Sequence, residues 1–193
     1  MFAWVVLPLA FWNIASLALM VVGGNPEVEN GPLEDLQVLF LLLGGVIFLR
    51  EMFGANAAGR VIFGGVALLH FTILLLELEL REFNLPVVNF FINGRFRDIW
   101  VGALWLLALV FFLKRRGEVW AAFLRWLRSP GARLLVAAGF LWLVSGVVDK
   151  ADLFEPHLVN EFVEEVVEIN ATWLMFVAAM WNRRQRLLAG SGT

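Results

Sequence analysis

With 193 residues, 61% of them hydrophobic, and a mean hydropathy of +0.79, the chain has no polar stretch long enough for a separate soluble domain. The lack of cysteine excludes a disulfide framework, a thiolate metal site and a cysteine nucleophile. A formal charge of −2 excludes little by itself, because the charges are segregated along the sequence.

The expectation is a single transmembrane domain over residues 1–193, an all-α, polytopic membrane helical bundle of about six transmembrane helices. The spans are expected at about 2–22, 35–53, 61–80, 98–113, 132–149 and 160–181, with an interfacial amphipathic helix at about 117–128. The opening MFAWVVLPLAFW has no basic n-region, so a cleaved signal peptide is not expected. Asn13 and Ser16 give the first span a mild polar pair of the kind that packs against neighbouring helices. Gly23-Gly24-Asn25-Pro26 ends it, and a short acidic loop leads to the second span. There Glu34 and Asp35 suit a helix N-terminus, Gln37 lies deeper, and Gly44-Gly45 permits close helix approach.

In the third span His70, Leu74, Glu77 and Arg81 fall on one helical stripe. The connection from Arg81 to Arg97 carries Val87-Val88-Asn89-Phe90-Phe91-Ile92 and is expected to dip into the membrane interface or lie flat over the bundle. The fourth span is apolar and reads as scaffold. In the helix after it, Val119, Trp120, Phe123, Trp126 and Leu127 share a face opposite Arg125 and Arg128, a pattern for anchoring on anionic lipid. The fifth span aligns Trp142, Ser145 and Asp149, with Lys150 adjacent.

The sixth span is the unusual one. His157, Glu161, Glu164, Glu165 and Glu168 occupy about 100° of a helical wheel, and the apolar side chains take the rest. The wholly apolar run Ala171–Trp181 is shorter than the about 20 residues a bilayer core requires, so a span ending at Asn182 draws glutamates into the membrane. Carboxylates there cost several kcal/mol unless they face water, partners or a cation. The acidic face is therefore expected to turn toward the protein interior; an amphipathic surface helix followed by a short span is the competing reading.

Eleven of the 15 basic residues fall on one side of these spans, and 15 of the 17 acids on the other. By the positive-inside rule both termini are cytoplasmic. Measured at 1.5 Å per residue from the basic boundaries, Glu34, Gln37, Glu77, Asp149, Glu165 and Glu168 reach one outer-leaflet layer, with His70 below it.

The segments Leu80-Arg81-Glu82-Phe83, Ser145-Gly146-Val147-Val148-Asp149-Lys150 and Glu164-Glu165-Val166-Val167-Glu168 resemble a pattern found in an uncharacterised group of bacterial multipass inner-membrane proteins. Glu29-Asn30-Gly31-Pro32-Leu33-Glu34-Asp35-Leu36-Gln37 looks similar too. The resemblance implies a bacterial plasma membrane and no activity. His70, Ser145, Asp149 and His157 also carry a distant similarity to the membrane hydrolases that include alkaline ceramidases and adiponectin-receptor-like proteins, which hold zinc with several histidines. This chain departs from that pattern: it has two histidines, and Glu161 stands where an HxxxH motif has its second.

Three readings remain open. In the first, an acidic, outward-facing layer binds or translocates a cation. Seven acids (Glu34, Glu77, Asp149, Glu161, Glu164, Glu165, Glu168) against Arg81 and Lys150 favour a hard divalent metal, with His70 or His157 admitting iron or zinc. In the second, a metal-dependent hydrolase acts on lipid through Ser145, Asp149, His70 and His157. The third is a structural or assembly protein whose acids form ion pairs with Arg81, Arg95, Arg97 and Lys150, or with a partner such as a second copy or another membrane protein. The lipid bilayer is the expected partner in all three. The basic residues mark a membrane face and not a nucleic-acid site.

Overall fold

The computed structural model describes Leu9, Phe11, Asn13 and Ile14, and residues 32–79, 86–151 and 157–190. Among these the chain is helical, with seven helices: α1 (Pro32–Phe53), α2 (Ala57–Glu79), α3 (Pro86–Ile92), α4 (Gly94–Lys114), α5 (Arg116–Leu127), α6 (Pro130–Ala151) and α7 (His157–Gly190). The all-helical, membrane-type architecture expected from the sequence is present. Glu34–Phe53, Ala57–Leu78, Gly94–Lys114 and Pro130–Val148 are long and apolar enough to cross a bilayer. The first expected span falls almost wholly outside the described residues. The sixth is part of α7, where Glu164, Glu165, Glu168 and Asn170 dilute the apolar run and keep it out of that class.

α7 is longer than expected. It runs unbroken for 34 residues, about 51 Å at 1.5 Å per residue, against a hydrocarbon core of about 30 Å. Its middle carries the densest burial in the molecule: Ile169, Ala171, Thr172, Leu174, Met175, Ala178 and Ala179 are all buried. Small residues at 171, 178 and 179 let α6 and α1 approach closely, which is how helices associate where lipid tails are as apolar as leucine.

The core is built in levels. Leu41, Leu74, Ala138, Leu174 and Met175 form one cluster across α1, α2, α6 and α7, with Leu9 packed against it. Phe48, Ala67 and Ala179 form the next, toward the basic end. Beyond that, Ala58 and Ile62 of α2 take Val119 of α5 between them. The apolar face of α5 is thus partly spent on the protein: Val119 is buried and Phe123 and Trp126 pack beside it, leaving Trp120 and Leu124 exposed. Lipid anchoring by the whole face gives way to a divided one, because α2 offers the same apolar surface nearer at hand.

α4 stands at the edge. Only 6% of its span is buried, and it is joined to α2 by the Trp105 indole, which donates to Thr72 Oγ1 at 3.0 Å. It begins four residues earlier than expected, at Gly94, whose φ of 72° makes the corner after α3. Phe90, Phe91 and Phe96 stack there with ring centroids 4.5–5.4 Å apart, and Phe90 and Phe91 are exposed. Such a cluster suits the aromatic belt at a bilayer surface.

Candidate functional site

Three pairings fix how α1 and α2 lie side by side. A Cβ on Gly44 would fall 2.7 Å from His70 Cδ2, one on Gly45 would fall 3.0 Å from the Phe71 ring, and Phe48 packs with Ala67. Carried two turns toward the acidic end, that antiparallel register sets Gln37 level with Glu77 and Leu78. α1 and α7 run parallel: Phe40 meets Trp173 at 4.9 Å, and Gly44 lies against the Phe176 backbone. This second register sets Gln37 level with Asn170. α6 and α7 are antiparallel, with Gly131 against Asn182 at one end and Ser145 bonded to Glu168 near the other. One polar layer therefore crosses four helices.

At its centre is Glu168. The Ser145 hydroxyl, 1% exposed, donates to Glu168 Oε1 at 2.7 Å. Glu77 from α2 and Glu164 and Glu165 from the same helix lie within electrostatic reach of the carboxylate. Thr172, fully buried one turn on, returns its hydroxyl to the carbonyls of Glu168 and Ile169 at 3.1 and 3.0 Å. Asn170 exchanges hydrogen bonds with Asn13 at 3.1 and 3.3 Å, so the described residues near the N-terminus reach this layer as well. Gln37 is 1% exposed, yet neither its amide nitrogen nor its carbonyl oxygen has a hydrogen-bond partner. Leaving a buried polar group unsatisfied costs about 1–3 kcal/mol, so a side chain without a partner among the described residues is a candidate to bind something else in this layer.

His70 does not belong to the same cluster. Its Nδ1 lies 2.8 Å from the Val66 carbonyl, its ring sits 5.3 Å from that of Phe48, and the absence of a side chain at Gly44 makes the space for it. Gly44 also faces Phe176, eight residues beyond Glu168 on α7, so the imidazole lies about 12 Å from the carboxylate level along the helix axis. Sequence reasoning set His70 below the layer, and the packing keeps it there.

Of the remaining expected site residues, Glu34 is half-buried on the first turn of α1 and Lys150 is exposed at the end of α6. The side chains of Asp149, His157 and Glu161, and the whole of Arg81, lie outside the described part of the structure. Among the described residues no three His, Asp or Glu side chains are grouped as a metal site would group them. One buried polar residue escaped the sequence reading: Thr172 looked like one more residue in an apolar run. Arg97, expected as one of the outer basic residues available for ion pairs, is 7% exposed on α4, with Nη2 2.9 Å from Asp98 Oδ1 and Nη1 3.4 Å from the Leu75 carbonyl.

Comparison with protein-family models, with curated proteins and with solved structures finds no match for this chain.

Proposed function

We propose that the protein is a multipass membrane protein whose acidic-end polar layer binds a cation, with Glu168 as the principal ligand. The observation that carries this reading is Glu168 held by the buried Ser145 with the charges of Glu77, Glu164 and Glu165 acting on it, although among the described residues these acids are not grouped as a complete metal site. Gln37, buried at the same level and without a hydrogen-bond partner among the described residues, offers a further carbonyl oxygen in this layer. Carboxylate and carbonyl oxygens together suit a hard ion such as Ca²⁺, Mg²⁺ or Mn²⁺. Ser145 acts as a positioning residue: its proton is committed to Oε1, which leaves the second carboxylate oxygen to the ion.

In this reading the layer opens outward in a bacterial plasma membrane, with both termini cytoplasmic, in keeping with the basic residues gathered at the opposite end of the bundle. The lipid-hydrolase reading has less support, because His70 is packed well away from Ser145.

The test is the thermal unfolding of detergent-purified protein with Ca²⁺, Mg²⁺ or Mn²⁺ against Na⁺ at equal ionic strength. A ligand at a hundredfold excess over its Kd stabilises by about 2.7 kcal/mol. At least one divalent ion should raise the Tm, the rise should vanish in Glu168→Gln and Glu77→Gln, and it should shrink in Ser145→Ala. A Tm that no cation moves, or a rise that survives in both glutamine variants, overturns the proposal.

A further inference from the structure

At the opposite, basic end, α2 and α4 part company. Above this point the Trp105–Thr72 hydrogen bond ties them together; below it they enclose a groove of about 580 Å³ that opens to the side of the bundle. Its walls are apolar, with Leu104, Leu107 and Phe111 on the α4 side, all of them substantially exposed. Gly65 forms part of the α2 wall, and a Cβ there would meet nothing within 4 Å. The α2 wall of the groove runs from Leu68 to Ala57, about 16 Å along the helix, against a single-leaflet depth of about 15 Å.

Arg60 and Arg115 line the basic end of the groove. Arg60 lies in the first turn of α2 and spends its Nε on the Ala55 carbonyl at 3.1 Å, which leaves both Nη groups without a partner among the described residues. Arg115 follows the last residue of α4 and, among the described residues, its side chain pairs with Glu118 at 3.8 Å with both side chains well exposed, a contact worth little. Two arginines over an apolar slot match a phosphodiester over an acyl chain, since guanidinium forks bind phosphate oxygens in pairs.

We infer that this groove is a binding site for an anionic phospholipid of the leaflet at the basic end, with its headgroup phosphate on Arg60 and Arg115 and one acyl chain against Gly65, Leu104, Leu107 and Phe111. The site is separate from α5, whose Arg125 and Arg128 face solvent elsewhere. Occupancy also accounts for the sparse packing of α4: a lipid chain supplies the contacts that side chains do not.

The experiment is native mass spectrometry of the delipidated protein titrated with phosphatidylglycerol or with phosphatidylcholine carrying the same chains. Phosphatidylglycerol should bind at least tenfold more tightly. Arg60→Gln with Arg115→Gln should bring it down to the phosphatidylcholine level, and Arg125→Gln with Arg128→Gln should leave the preference intact. Gly65→Leu, at a position with room for a side chain, should weaken both lipids at unchanged helicity. Equal binding of the two lipids by the wild-type protein overturns the inference without recourse to any variant. A preference that follows Arg125 and Arg128, or full binding in a helical Gly65→Leu protein, overturns it as well.

Discussion

His70 and Gly44 illustrate how one residue's identity depends on another's absence. The imidazole is wholly buried because α1 has no side chain where the ring passes; an alanine Cβ at position 44 would stand 2.7 and 2.8 Å from two ring atoms. The near neighbours are ring atoms on a short side chain wedged against Phe48, with no flexible end to swing away. Gly44→Ala should therefore cost about 1–3 kcal/mol through overpacking, despite the better helix propensity of alanine. In the double variant Gly44→Ala/His70→Ala the loss should be smaller than the two single losses combined, since each change relieves the other. Gly65→Ala should be neutral or slightly stabilising. Chemical denaturation in detergent measures all four; a Gly44→Ala protein as stable as the wild type would show that the ring is not confined. The sequence displayed Gly44-Gly45 as a close-approach site and His70 as a mid-membrane histidine. It did not display that they meet, because the rotation of α1 about its own axis is set by packing with α2 and α7 and not by any local pattern. The Ser145–Glu168 bond was hidden for the same reason: rise per residue gives a depth, and depth alone pairs nothing.

Among the elements, α4 and α7 are opposites, and hydropathy alone ranks them the wrong way round for importance to the fold. α4 is the more apolar, yet only 6% of it is buried. Its side chains face lipid, which is as apolar as the leucines themselves, so burial in protein gains them nothing. α7 carries carboxylates, amides and threonine, and α1 and α6 pack along it; the polar face that weakens it as a lipid-facing span is what requires protein partners. The early hint was the acidic stripe at helical spacing, and it was legible. The 34-residue length was not, because the basic run after Trp181 reads as a membrane boundary even where the helix continues through it. Substitutions on the two helices should separate accordingly. Leu106→Ala on α4, where the leucine is 62% exposed, should change stability by less than about 0.5 kcal/mol. Ala178→Leu on α7, fully buried, should cost about 1–3 kcal/mol or block folding. Unfolding in sodium dodecyl sulfate titrations of the reconstituted protein would distinguish them; equal losses at both sites would mean that α4 is packed against something in the assembled state.

For the molecule as a whole, the segregation of charge in the sequence becomes two chemically distinct ends. Ser145 with Glu168 marks one, and Gly131 with Asn182 the other; both contacts lie between α6 and α7, so these helices are in register from end to end. At the Asn182 end the Trp126 indole donates to Asn182 Oδ1 at 3.4 Å, fastening α5 and its arginines to the terminal part of α7. At the Glu168 end Asn170 of α7 binds Asn13. A bundle with one basic and one acidic end has only two orientations in a membrane, and a cytoplasm-facing basic end is the one favoured during insertion. Reporter fusions at Ala57, Arg116 and Gly190 should accordingly report the cytoplasm, and fusions at Asn30, Asn93 and Asp152 the periplasm. The Gly190 fusion is the decisive one. α7 reaches this residue unbroken from His157, and its length of about 51 Å exceeds the bilayer core by roughly 20 Å, so a helix that crosses must carry Gly190 clear of the far side. A periplasmic signal there, with Asn93 also periplasmic, would mean that α7 fails to cross and lies along the surface. Its acidic face would then be solvated, and the polar layer would lose its reason to bind a cation.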